Sequence, residues 1–173
     1  MTAAGANSIN QYLDRDIDAK MPRTKNRPIP SNLISGTNTL VFGIFITLIG
    51  FVLLLTLANL SSALCAFIGS LFYIFVYTIW LKRRSTQNIV IGGAAGAVPP
   101  LVASLAVTNA ITMNAWLMFL LIFLWTPPHF WALALIIKDD YKRANIPMLP
   151  VVKGEEFTRW NILGYSIILI LFN

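Results

Sequence analysis

Charge is what this sequence has least of. Only 12% of its 173 residues are Asp, Glu, Lys or Arg, about half the share usual in soluble domains, and the mean hydropathy is +0.70. Residues 28–81 and 85–137 carry no charged side chain at all, which excludes a water-exposed fold for either stretch and identifies a membrane protein. Cysteine is almost absent too: Cys65 stands alone inside an apolar run, so no intrachain disulfide can form and an inert buried thiol is expected. With His129 as the only histidine, the cysteine and histidine content gives no support for a permanently bound heme or iron-sulfur centre. Low-complexity segments and detectable repeats are absent. So are the basic and apolar regions of a signal peptide at the N-terminus.

What charge there is falls into four clusters, at 14–27, 82–84, 138–143 and 153–159. Each uncharged gap is long enough for two spans of about 20 residues, and polar breaks at "ANLSS" (58–62) and "TNAITMN" (108–114) divide them. The spacing predicts helices over roughly 33–57, 61–81, 88–107 and 115–137. Two spans between successive clusters return the chain to the side it left, so all four clusters belong on one face. The loops opposite hold no Lys or Arg, so the positive-inside rule makes the charged face cytoplasmic. The net charge of +6 then has a topological cause and gives no reason to invoke nucleic acid. The expected fold class is all-α, a polytopic transmembrane bundle. We expect one domain over 1–173, incomplete at both ends, with a fifth span begun after Arg159 and charged loops at 10–30 and 138–159.

The first loop contains the densest chemistry. "NQYLDRDIDAKMPRTKNRP" (10–28) gathers three of the seven acidic and five of the thirteen basic residues. On a helix, Asn10, Asp14 and Asp18 follow at i, i+4, i+8 and line one stripe about 12 Å long. Hard oxygen ligands of this kind suit Mg²⁺, which takes one or two carboxylates together with water and substrate phosphate. Arg15 and Asp16 point elsewhere, toward neighbours or solvent. Pro22 is expected to end the helix, and Arg23, Lys25 and Arg27 supply cations that bind phosphates. The acid stripe and basic loop read together as a metal-bridged diphosphate site. A solvated cytoplasmic loop is the plainer reading, but it needs no acids at helical spacing.

Three further stretches have physical meaning. "IGGAAGAVPP" (91–100) places Gly92 and Gly96 at the spacing that lets helix backbones approach in lipid, and Pro99 and Pro100 are expected to kink or break the helix. "WTPPHFW" (125–131) repeats the proline pair at Pro127 and Pro128 and adds His129, about 13 Å below Lys138 along a helix. An ionisable group at that depth is a candidate functional residue, although a hydrogen-bonded structural histidine is the commoner outcome. Trp125, Phe130 and Trp131 beside it suit core packing, an aromatic belt or a ring platform. "KDDYKRANIPMLPVVKGEE" (138–156) offers Asp139 and Asp140 as oxygen ligands and Lys138, Lys142 and Arg143 as phosphate contacts. Lys82, Arg83 and Arg84 read as a topology-fixing triplet.

"NQYLDRDIDAKMPRTKNRP" resembles the first aspartate-rich motif, NxxxDxxxD, of the UbiA superfamily of intramembrane prenyltransferases. Together with "YTIWLKRRSTQNIVIGGAAGAVPPL" (77–101) and "WTPPHFWALALIIKDDYKRANIPMLPVV" (125–152), it is similar to the heme o synthase branch, in the same order and over most of the chain. The resemblance implies transfer of a farnesyl group from farnesyl diphosphate to a vinyl group of heme b, giving heme o. It implies Mg²⁺ held by Asn10, Asp14, Asp18, Asp139 and Asp140, with Asn10, Asp14, Asp18 and Asp140 as the catalytic set. It also implies heme b as substrate rather than cofactor, contacted by His129. The implied setting is a bacterial cell membrane, or a mitochondrial inner membrane, with heme a synthase or oxidase assembly proteins as candidate partners. Many superfamily members place acids four residues apart in the second motif. Here those positions hold Arg143 and Ala144, which resembles the heme o synthase form "DYxxAxIPxLP" and weakens the case for Asp139 more than for Asp140.

The chemistry explains why opposite charges crowd the rim of an apolar protein. Ionising an allylic diphosphate leaves an anion that metal and cations stabilise, while an apolar bundle excludes the water that would quench the carbocation. Two alternatives remain: another UbiA-type aromatic prenyltransferase acting on a quinone or tetrapyrrole precursor, and a transporter whose Pro and Gly breaks mark a substrate path.

Overall fold

The computed structural model describes residues 1–172, all of whose regular elements are helical. Four helices are long and apolar enough to cross a membrane: Gly36–Leu57, Leu60–Leu81, Asn88–Thr108 and Met113–Ile136. They match the expected spans to within a few residues, because an uncharged run can satisfy its backbone in lipid only by helical hydrogen bonding. Only 17% of the Gly36–Leu57 window is buried, so most of its apolar side chains face outward, as in a helix whose solvent is hydrocarbon.

We number the elements α1 (Thr2–Leu13), α2 (Arg15–Asp18), α3 (Gly36–Leu57), α4 (Leu60–Leu71), α5 (Asn88–Ala97), α6 (Pro99–Thr108), α7 (Met113–Ile136), α8 (Lys138–Arg143), α9 (Leu149–Val152) and α10 (Glu155–Phe172). The second span does not stay α-helical. From Phe72 to Leu81 it widens into π-helical turns, and the Lys82 N–H donates to the Tyr77 carbonyl, five residues back, at 2.8 Å. Such turns are frequent at functional sites, and the hydropathy pattern contains no sign of this one.

The two proline pairs behave differently. The third span divides at Val98, as expected, but Val98 keeps right-handed helical angles (φ −62°, ψ −33°), so α5 and α6 continue one another. The fourth span carries Pro127 and Pro128 without interruption, in line with the single span expected over 115–137. In the first loop Pro22 is not the terminator either: α2 ends at Asp18, before the proline is reached.

Glycine packs helices here, though not where the GxxxG pattern pointed. A Cβ on Gly5 would lie 2.5 Å from the Gly43 carbonyl oxygen and 2.7 Å from the Thr47 nitrogen, so α1 and α3 touch backbone to backbone. Gly92 and Gly93 instead make room for the side chains of Tyr77 and Thr126. Beside Gly96 a Cβ would meet nothing within 4 Å. Gly5→Ala is therefore expected to lower the thermal midpoint of the detergent-solubilised protein, at an overpacking cost of about 1–3 kcal/mol. The same change at Gly164, which has open space around it, should not.

The charged clusters gather at one end of the bundle. Lys82 pairs with Asp14 and Arg83 with Asp16, linking the first cluster to the second, and Lys138 pairs with Glu155, linking the third to the fourth. At the other end the Asn59 amide accepts from the Ser62 N–H at 2.8 Å and donates to the Leu105 carbonyl at 2.7 Å, tying one uncharged turn to the next helix pair.

Candidate functional site

The acid stripe forms as its spacing predicts, although α1 stops at Asp14. The Asp14 N–H donates to the Asn10 carbonyl and the Asp18 N–H to the Asp14 carbonyl, both at 2.8 Å. One helical register therefore continues through the break and keeps the three side chains aligned. All three are buried: Asn10 is 6% exposed, Asp14 1% and Asp18 4%. Burying two carboxylates requires partners, and these come from far along the chain. Asn10 Nδ2 donates to Asp14 Oδ2 at 2.9 Å and to Thr78 Oγ1 at 3.0 Å. Thr78 Oγ1 in turn donates to the Tyr73 carbonyl at 3.0 Å. Lys82 Nζ donates to Asp14 Oδ2, and Arg27 donates to Asp18 Oδ2 at 2.9 Å.

Lys82 is thus a site residue that sequence reasoning had assigned to topology alone. Only the π-helical register that carries Thr78 and Lys82 to the stripe singles it out, and that register is a property of the folded helix. Arg83 also does more than mark a helix end. Its guanidinium grips Asp16 through two bonds, of 2.8 and 2.7 Å, and bonds the Leu13 carbonyl at 2.8 Å. Those hydrogen bonds hold the Asp16 carboxyl below its ordinary value of 3.8. A depressed carboxylate pKa adds stability that is complete above the unfolded value and lost as pH falls through the folded one. Arg83→Ala should accordingly raise the Asp16 pKa toward 3.8, a shift that side-chain carboxyl NMR titration reads directly.

The two charged loops converge because they share a core. Ile17 and Met21 of the first loop are buried in one cluster with Ala144, Ile146, Met148 and Leu149 of the second, packed on Ile89 and Trp131. A polar cavity of about 180 Å³ opens between them. Its walls carry Asp18, Arg23, Arg27 and Lys82, the amides of Asn7 and Asn10, and the phenols of Tyr73, Tyr77 and Tyr141. Three cations against one carboxylate make it suited to a multiply charged anion. Burial pushes the Tyr141 phenol above its ordinary 10.0, so at neutral pH it stays protonated and able to donate.

Other sequence candidates lie outside this cavity. Lys25 is exposed and is not in its wall. On α8 no residue is buried; Lys138 pairs with Glu155 at 3.2 Å, and Asp139, Asp140, Lys142 and Arg143 do not line the cavity, although α8 delivers Tyr141 to it. Among the described residues no three His, Cys, Asp or Glu side chains come together as a metal-binding group, so Asp139 and Asp140 are not gathered with Asp14 and Asp18. What does fit a hard cation is the first motif. Asp14 Oδ1 is buried without a hydrogen-bond partner, close to a second buried carboxylate, Asp18, whose bonded oxygen is Oδ2.

A second, apolar cavity of about 910 Å³ lies against the first, near the upper end of the range for ligand pockets. Asn7, Tyr73 and Tyr77 line both. The two tyrosine rings stack with centroids 5.5 Å apart and form the partition between a cationic chamber and an apolar one. His129 lines neither. It is exposed on α7, stacked on Trp125 at 5.1 Å and edge-on to Phe130 at 5.4 Å. Trp125 and Phe130 are in the apolar wall, which puts the imidazole one ring away from that cavity.

The UbiA prenyltransferase family matches residues 1–172. Among curated relatives, a protoheme IX farnesyltransferase of Symbiobacterium thermophilum is 55% identical over 170 residues, 98% of this chain and 57% of that protein. A Nostoc protein of the same name is 52% identical over 170 residues, 98% of this chain and 54% of its own, and one from Roseiflexus is 53% identical over 167 residues, 96% of this chain and 31% of its own. The chain spans between about a third and somewhat over half the length of these relatives. No solved structure matches.

Proposed function

Because the chain belongs to the UbiA prenyltransferase family, we propose that its two adjoining cavities serve one reaction, transfer of a farnesyl group from farnesyl diphosphate to a vinyl group of heme b, giving heme o. The observation that carries this reading is the shared tyrosine wall: a cationic chamber for a diphosphate opens beside an apolar chamber for the chain attached to it. The names of the relatives support farnesyl as the group and protoheme as the acceptor.

In this reading Arg23, Arg27 and Lys82 bind the phosphates, with Tyr141 as a neutral donor. Asp14 and Asp18 would hold Mg²⁺, which lowers the charge on the departing diphosphate. The allylic C–O bond breaks with its electron pair going to the diphosphate. The vinyl π electrons then bond the farnesyl carbon, and water adds to the cation left beside the porphyrin ring, losing a proton to give the hydroxyethylfarnesyl group. The cationic pocket stabilises the negative charge as it develops, and the apolar walls keep bulk water from the allylic cation. Lys25, Lys138, Lys142 and Arg143 lie on the same charged rim and would attract the anionic substrate before it docks. Asp140, which acts electrostatically on the Tyr141 phenol, supports the site from α8. His129, stacked on the wall residue Trp125, is where a porphyrin edge would meet the bundle. The positive-inside rule puts the charged rim in the cytoplasm of a bacterial cell.

The test is conversion of heme b and farnesyl diphosphate to heme o in membranes bearing the full-length protein, followed by mass spectrometry, with and without a chelator. Product that disappears on chelation and returns with Mg²⁺ is the expected result. Diphosphate consumed with another aromatic acceptor but not with heme would overturn the acceptor assignment. No diphosphate turnover would overturn the reaction and favour a transport role.

A further inference from the structure

We propose that Gly96 sets how long a prenyl chain the apolar cavity accepts; the inference rests on the prenyl-transfer reading above. Two ends of the cavity can be placed. At the tyrosine partition lie Asn7 of α1, which lines both cavities, and Gly92 of α5, and at the uncharged turns lies Ala106 of α6, whose carbonyl faces the Asn59 amide. Gly92 belongs to the partition because Tyr77 fills the place its side chain would take, with Cδ2 only 2.2 Å from a Cβ built there. Because Val98 stays helical, α5 and α6 present one continuous face to the cavity, and from Gly92 to Ala106 that face rises about 21 Å.

An isoprene unit adds four carbons to the length of the chain, about 5 Å extended at ordinary C–C bond lengths, so three units need about 15 Å. The helical face accommodates them with about 6 Å to spare. Gly96 stands one turn past Gly92, about 6 Å from the partition, at the depth where the first unit ends and the second begins. It lines the cavity, and unlike Gly92 and Gly93 it has no neighbour within 4 Å of a Cβ position. Helix packing therefore does not account for glycine at 96. Gly96 is exposed and stands on the cavity wall, so a side chain placed there would extend into the cavity beside the second and third units.

The experiment measures affinity for dimethylallyl diphosphate and farnesyl diphosphate, by ligand-induced thermal stabilisation of the full-length protein, in wild type, Gly96→Leu and Gly164→Leu. One isoprene unit ends at position 96 and three pass it. The affinity advantage of farnesyl over dimethylallyl diphosphate is expected to fall at least about tenfold in Gly96→Leu, the scale on which a filled apolar pocket discriminates. Gly164, exposed on α10 and off both cavities, controls for adding leucine to a helix, and its variant should keep the wild-type ratio. An equal loss for both diphosphates, or an unchanged ratio, in Gly96→Leu overturns the inference while leaving the proposed reaction intact. If wild type binds neither diphosphate, the prenyl-transfer reading fails and the inference with it.

Discussion

If the proposed prenyl transfer is the reaction, Asp18→Asn is expected to reduce heme o formation at least about a hundredfold, or about 2.7 kcal/mol in transition-state stabilisation, with little change in thermal midpoint. Asp18 is 4% exposed and faces the cationic cavity, but its partner Arg27 has a side chain 39% exposed. Removing the carboxylate leaves a cation that water can solvate, so the fold loses little. The proposed reaction would lose an oxygen ligand for Mg²⁺ and the one negative charge in the cavity wall. Asp14→Asn should also abolish product, but for a mixed reason, because it strips the charge partner from Lys82 as well. Measuring midpoint and turnover on both variants separates the roles. If Asp18→Asn keeps its activity, the stripe is structural and the diphosphate site lies elsewhere.

Lys82→Met carries the second large effect. Its ammonium is the cation bonded to Asp14, whose side chain is 1% exposed, while that of Lys82 is 18% exposed. Without it a buried carboxylate keeps only the Asn10 amide on one oxygen, with Arg83 at 3.9 Å from the other. Removing one member of a buried pair costs about 3 kcal/mol or more, so a marked fall in the midpoint is expected. Adding Asp14→Asn to Lys82→Met should recover much of that stability, because the double variant has no orphaned charge. Turnover should stay low in the double variant, since Lys82 is also one of three cations lining the anion cavity. If stability is not recovered, Lys82 contributes through packing of its stem on Tyr77, whose ring centroid lies 5.9 Å from Nζ.

His129 illustrates what sequence position leaves open. Helical rise correctly put it below the charged rim on the fourth span, but rise says nothing about azimuth. Its ring faces outward beside Trp125, and Trp131, two positions on, is the residue buried in the core. The GxxxG at 92 and 96 is a similar case. The spacing places both glycines on one face, but only the neighbouring helices decide that Tyr77 fills the space at one and a cavity lies open at the other.

By itself the sequence determined what depends on near neighbours along the chain. Runs without charge require helices in lipid, clusters separated by paired spans must share a face, and an i, i+4, i+8 acid stripe survives even the helix break at Asp14, since its register is held by hydrogen bonds four residues apart. Only the tertiary structure decided what that stripe faces. Lys82 and Thr78 reach it from another span through π-helical turns, and the two loops close one cavity because their apolar residues enter a common core. The tyrosine pair divides that cavity from the apolar one. Those outcomes depend on the rotation and packing of whole helices against one another, which periodicity within a single helix does not encode.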